Sequence, residues 1–327
     1  MDISIGLYPN ASPSEILATG QLADDLGFST LWVADSHVLW REMYVLLGGL
    51  AATTSRIRLG SAVTNPITRH VTVTAGAFST LSELSGGRAI LGISVGDSAL
   101  KTLGLKRSTV AALELTMGRI RQLLSGETVR FSDETTATLG YKSAFPLPIY
   151  IASTGPRMLD LAGRIADGVI LMNGVAPDLI EAAISLVRNG AREAGRRPED
   201  VKTVVWAACH ASNDRSASFD AVKYNVARAI LRPMPGQVDA LAEATAKQIE
   251  KRYDYAQHGS AEADFAALVP DELVPRYAFA GSVDEVATQL EALREIGVDE
   301  VALAVPRSGR AAPRDEVIRM IGTGLLK

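Results

Sequence analysis

Cysteine is nearly absent from this chain: Cys209 stands alone among 327 residues, so no internal disulfide can form, which suits a reducing compartment. Aromatic residues are sparse, at 6%. No strong excess of either charge is present: the formal net charge is −4, which argues against a nucleic-acid binder but says little about small anionic ligands. No long apolar run occurs. The longest, Met43 to Ala52, is too short to span a bilayer. The start, Met1-Asp2-Ile3-Ser4, lacks a basic segment followed by an apolar one, so no secretory signal is expected and the cytoplasm is the expected compartment. The four histidines, His37, His70, His210 and His258, show no metal-ligand spacing, and no metal is expected. Neither a P-loop nor a dinucleotide fingerprint is found. Internal repeats and low-complexity tracts are missing as well.

What the chain does contain is apolar residues, at 47%, enough to fill a large core. Short β-branched runs alternate with helical patterns. The strand candidates are Ile3–Leu7, Thr30–Ala34, Ile57–Leu59, Ala89–Ile93, Ile149–Ile151, Gly168–Leu171, Thr203–Cys209 and Glu300–Ala304. Helical periodicity covers Ser14–Leu26, Tyr44–Thr54, Val71–Leu84, Val110–Leu124, Arg157–Ile165 and Leu179–Ala194, among others. Such alternation predicts parallel βαβ units, and eight strands favour an α/β fold of the (β/α)8 TIM barrel type over an open doubly wound sheet. One domain is expected over 1–327, with a hairpin-like insertion at 129–141 and a helical insertion at 233–278, where four prolines interrupt the pattern. The second insertion reads either as a cover over the barrel mouth or as a plain exposed excursion. Helix punctuation agrees: Ser12-Pro13-Ser14-Glu15 and Ser282 before Glu285 are N-terminal signatures, and Gly27 and Gly126 are stops.

Chemistry in a barrel of this kind sits at the carboxyl ends of the strands. The second strand runs into Asp35-Ser36-His37, with Trp40 close behind. Acid, hydroxyl and imidazole together can handle protons, and the tryptophan can wall off a flat ring. Asp35 can equally cap the next helix, and His37 can be a surface loop residue. The third strand leads through small residues into Ala62-Val63-Thr64-Asn65-Pro66, a loop with little bulk against which a flat ligand can lie. The fourth leads into Gly96-Asp97. Asp97 can donate a proton only if burial or a like charge raises its pKa; otherwise it only accepts, or serves the loop. The fifth leads into Ser153-Thr154-Gly155-Pro156 ahead of a helix, where free amides, hydroxyls and the helix dipole make an anion site. Cys209 reads as core, and His70 as a helix cap or cofactor-edge residue rather than a ligand.

These motifs, occurring in order, resemble those of the bacterial luciferase-like superfamily. The segment Thr80 to Arg88 matches the superfamily, and the stretch Gly60-Ser61-Ala62-Val63-Thr64-Asn65-Pro66 and the start Ile5-Gly6-Leu7-Tyr8-Pro9-Asn10 look closest to the deazaflavin-dependent methylenetetrahydromethanopterin reductases. The resemblance implies a cis peptide joining Ala62 and Val63 behind the middle ring of a flavin-like cofactor. It further implies Thr64 and Asn65 at the ring's pyrimidine edge, Gly96 and Asp97 near the transferring carbon, and the cofactor phosphate on Ser153, Thr154, Gly155 and Pro156. Asp35, His37 and Asp97 are the candidate proton carriers, and Ser36 and Trp40 join the cofactor set. One departure stands out: the methanogen reductases carry a glutamate where this chain has Gly6.

The implied activity is hydride transfer between coenzyme F420 and an organic small-molecule substrate. The alternatives are an FMN-dependent monooxygenase of the same fold and a non-catalytic flavin-binding barrel. A homodimer is expected, since relatives pair through helices near the second and third strands. Met43 to Ala52 could serve there or be a buried helix of the monomer. No membrane or nucleic-acid partner is expected.

Overall fold

A computed structural model describes residues 1–236, 239–253, 263–306 and 312–326. Its strands are β1 (Asp2–Leu7), β2 (Thr30–Val33), β3 (Arg58–Ser61), β4 (Ala89–Ile93), β5 (Val129–Arg130), β6 (Thr136–Ala137), β7 (Ile149–Ser153), β8 (Gly168–Leu171), β9 (Lys202–Ala211), β10 (Phe279–Gly281) and β11 (Glu300–Ala304). The helices are α1 (Pro13–Leu26), α2 (Met43–Thr53), α3 (Val71–Leu84), α4 (Ser98–Lys101), α5 (Val110–Ser125), α6 (Pro156–Ile165), α7 (Pro177–Glu193), α8 (Arg215–Ile230), α9 (Ala240–Arg252), α10 (Val274–Tyr277), α11 (Val283–Glu295) and α12 (Arg314–Leu325). Eight parallel strands close a barrel in the order β1-β2-β3-β4-β7-β8-β9-β11, with β11 returning to β1. This is the (β/α)8 barrel that the alternation of strands and helices predicted.

Local chemistry sets the boundaries. Ser12 and Glu15 form a capping box at α1, Ser282 and Glu285 another at α11, and Gly27 and Gly126 end α1 and α5 in left-handed conformation. Two findings lie outside the sequence reading. The three-residue β10 pairs with the outer end of β9 beyond the barrel proper, too short to show any alternation. The barrel interior also carries three aromatic rings. Trp32 stands directly opposite Gly60 in the sheet register, and Tyr150 opposite Gly168. A Cβ on Gly60 would lie 2.3 Å from Trp32, one on Gly168 2.6 Å from Tyr150, and one on Gly6 2.6 Å from Trp206. Each glycine is thus the space its ring fills, in an interior otherwise packed by Ile90, Ile170, Val204 and small alanines. The Trp32 indole N–H donates to Glu300 at 2.7 Å, and Arg58 pairs with the same carboxylate at 2.9 Å, so these buried polar groups satisfy one another.

The 129–141 segment carries the antiparallel pair β5–β6. The 233–278 segment supplies α9, two short 3-10 turns and α10 among the described residues. These pack with α8 into a second apolar cluster around Phe219, Tyr224, Phe265 and Leu273. Pro233, Glu250, Tyr253 and Tyr277 of this segment line the cavity at the barrel mouth.

Candidate active site

A cavity of about 690 Å³ opens at the carboxyl ends of the barrel strands. Its near wall is the loop after β3. Ser61 exchanges side-chain hydrogen bonds with the Gly92 backbone at 2.8 and 2.9 Å. The Thr64 N–H donates to Gly92 at 3.0 Å, and the Ser94 N–H returns to Thr64 at 3.0 Å. A Cβ on Gly92 would lie 2.0 Å from the Ser61 carbonyl, so only glycine lets this loop lie flat on β4. The Ala62–Val63 peptide is cis, at the bond the motif match named. Ala62, Val63, Asn65, Gly96 and Ala152 give this wall small or flat surfaces, and Tyr8, Trp40 and Trp206 close the other side. Tyr8 sits 5.2 Å from the Trp40 ring and 6.0 Å, edge-on, from Trp206.

Of the residues singled out in the sequence, Asp35, Ser36, Trp40, Ala62, Val63, Asn65, Gly96, Asp97, Ser153, Thr154 and Gly155 line this cavity. His37, Thr64 and Pro156 are not among its lining residues. His258 lies outside the described residues. Thr64 is fully buried and its hydroxyl accepts from Arg69 at 3.4 Å, which takes it away from a ligand edge. His70 caps α3, accepting from the Thr72 N–H at 3.4 Å, and Cys209 is core. Burial alone pushes the Cys209 thiol far up, so it is no nucleophile.

The three candidate proton carriers have different surroundings. Asp35 is buried and gripped by Arg69, whose second guanidinium nitrogen reaches the carboxylate at 3.1 Å and also bonds Glu42. Burial opposes the Arg69 charge, but Asp35 and Glu42 outweigh it and raise its pKa. Asp35 is therefore one half of a buried ion pair, with Arg69 also stacked 4.2 Å over Tyr44. Asp97 meets Arg107 at 2.9 Å, Lys101 at 3.0 Å and Arg228 at 3.2 Å. Burial works to raise its pKa, yet Arg228 and Lys101 win and hold it at about 2. It is ionised at neutral pH and can only accept. His37 lies off the cavity. Asn65 is also occupied: its side-chain oxygen accepts from Ile67 and Thr68, and its amide donates to Thr68, so it shapes its own loop.

At the far end, Gly155 precedes α6 and no side chain caps that helix. A Cβ on Gly155 would meet nothing closer than Pro233 at 3.9 Å, so the first-turn amides stand beside open space. Lys101, Arg107, Arg228 and Arg232 also line the cavity, against Asp97 and Glu250 once the Asp35–Arg69 pair is set aside. The site therefore offers a flat, partly aromatic slot joined to a cationic region with an uncapped helix start, which fits a planar ring with an anionic tail. Sequence reasoning missed Tyr8, Trp206, Arg228 and Arg232. For Tyr8 a signal existed, since it follows Gly6 by two residues and so shares its inward face.

The luciferase-like monooxygenase family model matches residues 2–300. The chain belongs to that family. Among its relatives, the 5,10-methylenetetrahydromethanopterin reductase of Methanolobus tindarius is 30% identical over the whole of both chains. The F420-dependent glucose-6-phosphate dehydrogenase of Nakamurella multipartita is 33% identical over 67% of this chain and 70% of its own. The solved structure of the coenzyme F420 dependent tetrahydromethanopterin reductase from Methanopyrus kandleri superposes with a TM-score of 0.82 at 26% identity, covering 99% of this chain and 98% of that one.

Proposed function

We propose that this protein is a coenzyme F420-dependent oxidoreductase that transfers a hydride between the deazaflavin and an organic small molecule. The observation that carries the reading is the juxtaposition of the Ala62–Val63 wall with the uncapped start of α6 in one cavity, in a chain whose full-length relatives include deazaflavin reductases. Ala62, Val63 and Gly96 would hold the flat ring, with Trp40 and Ser36 bordering it. Ser153, Thr154 and Gly155 would hold the phosphate. When bound, the deazaflavin supplies a carbon-centred hydride. The residues of the chain orient it, and the aromatic wall and the 233–278 cover keep water from the slot. The Arg69–Asp35 pair fixes the position of the β3 loop through Thr64 rather than moving a proton.

Fluorescence titration of the purified protein with F420 and, separately, with FMN tests the assignment. Tight F420 binding is expected; tight FMN binding with none of F420 refutes it. The same reading places the chain in the cytoplasm as a homodimer. Val45 and Val73 are 75% and 53% exposed on α2 and α3, beside a groove lined by Leu47, Gly48 and Gly76, and a second copy would cover them. Light scattering that returns a single-chain mass refutes the dimer.

A further inference from the structure

We propose that Tyr8 is the proton-donating catalytic residue of this site, and that the acceptor it serves carries a polarised carbon–oxygen or carbon–nitrogen double bond. The inference rests on the functional reading above.

The acids that the sequence offered are spent on ion pairs, Asp35 with Arg69 and Asp97 with three cations. The position of the reductases' glutamate is Gly6, and Trp206 occupies the space a side chain there would need. The next inward-facing residue of the same strand end is Tyr8, which lines the cavity. Its ring meets the Trp206 ring edge-on at 6.0 Å, and the phenol borders the cavity. The Tyr8 O–H is left to donate into the cavity. Burial raises the phenol's pKa and keeps the proton on at neutral pH. Arg232 and Arg228 pull the other way, and Tyr224 adds a small upward push. Arg232 has no carboxylate within salt-bridge distance among the described residues, and Arg228 next to it makes its charge costly. An anion forming near Tyr8 relieves both.

In the step, the acceptor carbon gains a hydride, the reduced deazaflavin being the two-electron reductant. The π electron pair moves to the oxygen or nitrogen of the acceptor. That atom takes the proton of the Tyr8 hydroxyl, and the phenolate, with Arg232 lining the same cavity, regains a proton from water. A bare carbon–carbon double bond has no such heteroatom and gains nothing from this pair.

Tyr8→Phe keeps the ring and removes the proton. F420 titration comes first, with an affinity within twofold of the parent expected; a parent protein that does not bind F420 overturns the functional reading itself. Next, the ultraviolet difference between parent and Tyr8→Phe reports the phenolate of Tyr8 alone. Arg232→Gln should raise its midpoint by about one unit, as loss of a nearby positive charge does; an unchanged midpoint overturns the inference. Last, stopped-flow oxidation of reduced F420 is followed with propanal, cyclohexanone and a cyclic imine. The parent should reduce at least one of them with a solvent deuterium isotope effect, and Tyr8→Phe should be slower by about 10²–10⁴-fold with that effect gone. A Tyr8→Phe rate within threefold of the parent, or a parent that reduces none of the three, overturns the inference while F420 binding leaves the functional reading standing.

Discussion

Gly6→Ala is the smallest change that probes why the reductases' acidic position is empty here. The new Cβ would lie 2.6 and 2.8 Å from two ring carbons of Trp206 and 3.0 Å from the Ala304 Cα. The first distance is 0.8 Å inside ordinary contact at 3.4 Å. The ring cannot swing away freely: it is 5% exposed, edge-on against Tyr8 and packed in the barrel interior. Overpacking of this kind costs about 1–3 kcal/mol, and the loss of glycine's unfolded-state freedom returns about 0.4–1 kcal/mol. A net destabilisation of about 1–2 kcal/mol is expected, or roughly 1.5 °C in Tm per kcal/mol for a chain of this size. Urea unfolding followed by tryptophan fluorescence measures it, and near-ultraviolet dichroism reports displacement of the indole. Combining Gly6→Ala with Trp206→Leu frees the space, so the two changes should couple by about 1 kcal/mol or more. If Gly6→Ala is as stable as the parent and shows no coupling, Trp206 does not exclude a side chain there and the account of the missing glutamate fails.

Asp35→Asn removes the buried partner of Arg69 and should cost about 1–3 kcal/mol in chemical denaturation while weakening F420 binding through the β3 loop; equal stability would show the ion pair to be idle. The depressed carboxyl of Asp97, about 2 against an ordinary 3.8, makes its clamp on α8 fully effective above about pH 4 and lost as pH falls to about 2. The stability gap between the parent and Asp97→Asn in acid titration should therefore close across that window, and a gap that persists below it contradicts the assignment. Gly155→Glu sets a negative charge at the uncapped start of α6 and should raise the F420 dissociation constant at least tenfold, about 1.4 kcal/mol, in a fluorescence titration; unchanged affinity moves the tail site elsewhere. Cys209 should resist a thiol reagent until the protein is unfolded, since its thiol is fully buried.

The alternation of apolar strands with capped helices was enough to predict a (β/α)8 barrel, because period and punctuation are local properties of the chain. Eight strands could be counted and α3 was placed to the residue, Val71–Leu84. The small-residue loop after β3 and the turn before α6 were legible for the same reason: glycine and alanine where a backbone must come close, and proline where a helix must start. The sequence could not show which charges meet. Asp35 and Arg69 are 34 positions apart and Asp97 and Arg228 131 apart, so only the closed barrel brings them within bonding distance. That long-range pairing tied both candidate acids to cations. Tertiary packing likewise filled the space beside Gly6 with an indole from β9, two strands away around the barrel, and left a phenol facing the cavity, because a glycine in a strand does not say which ring will occupy the room it leaves.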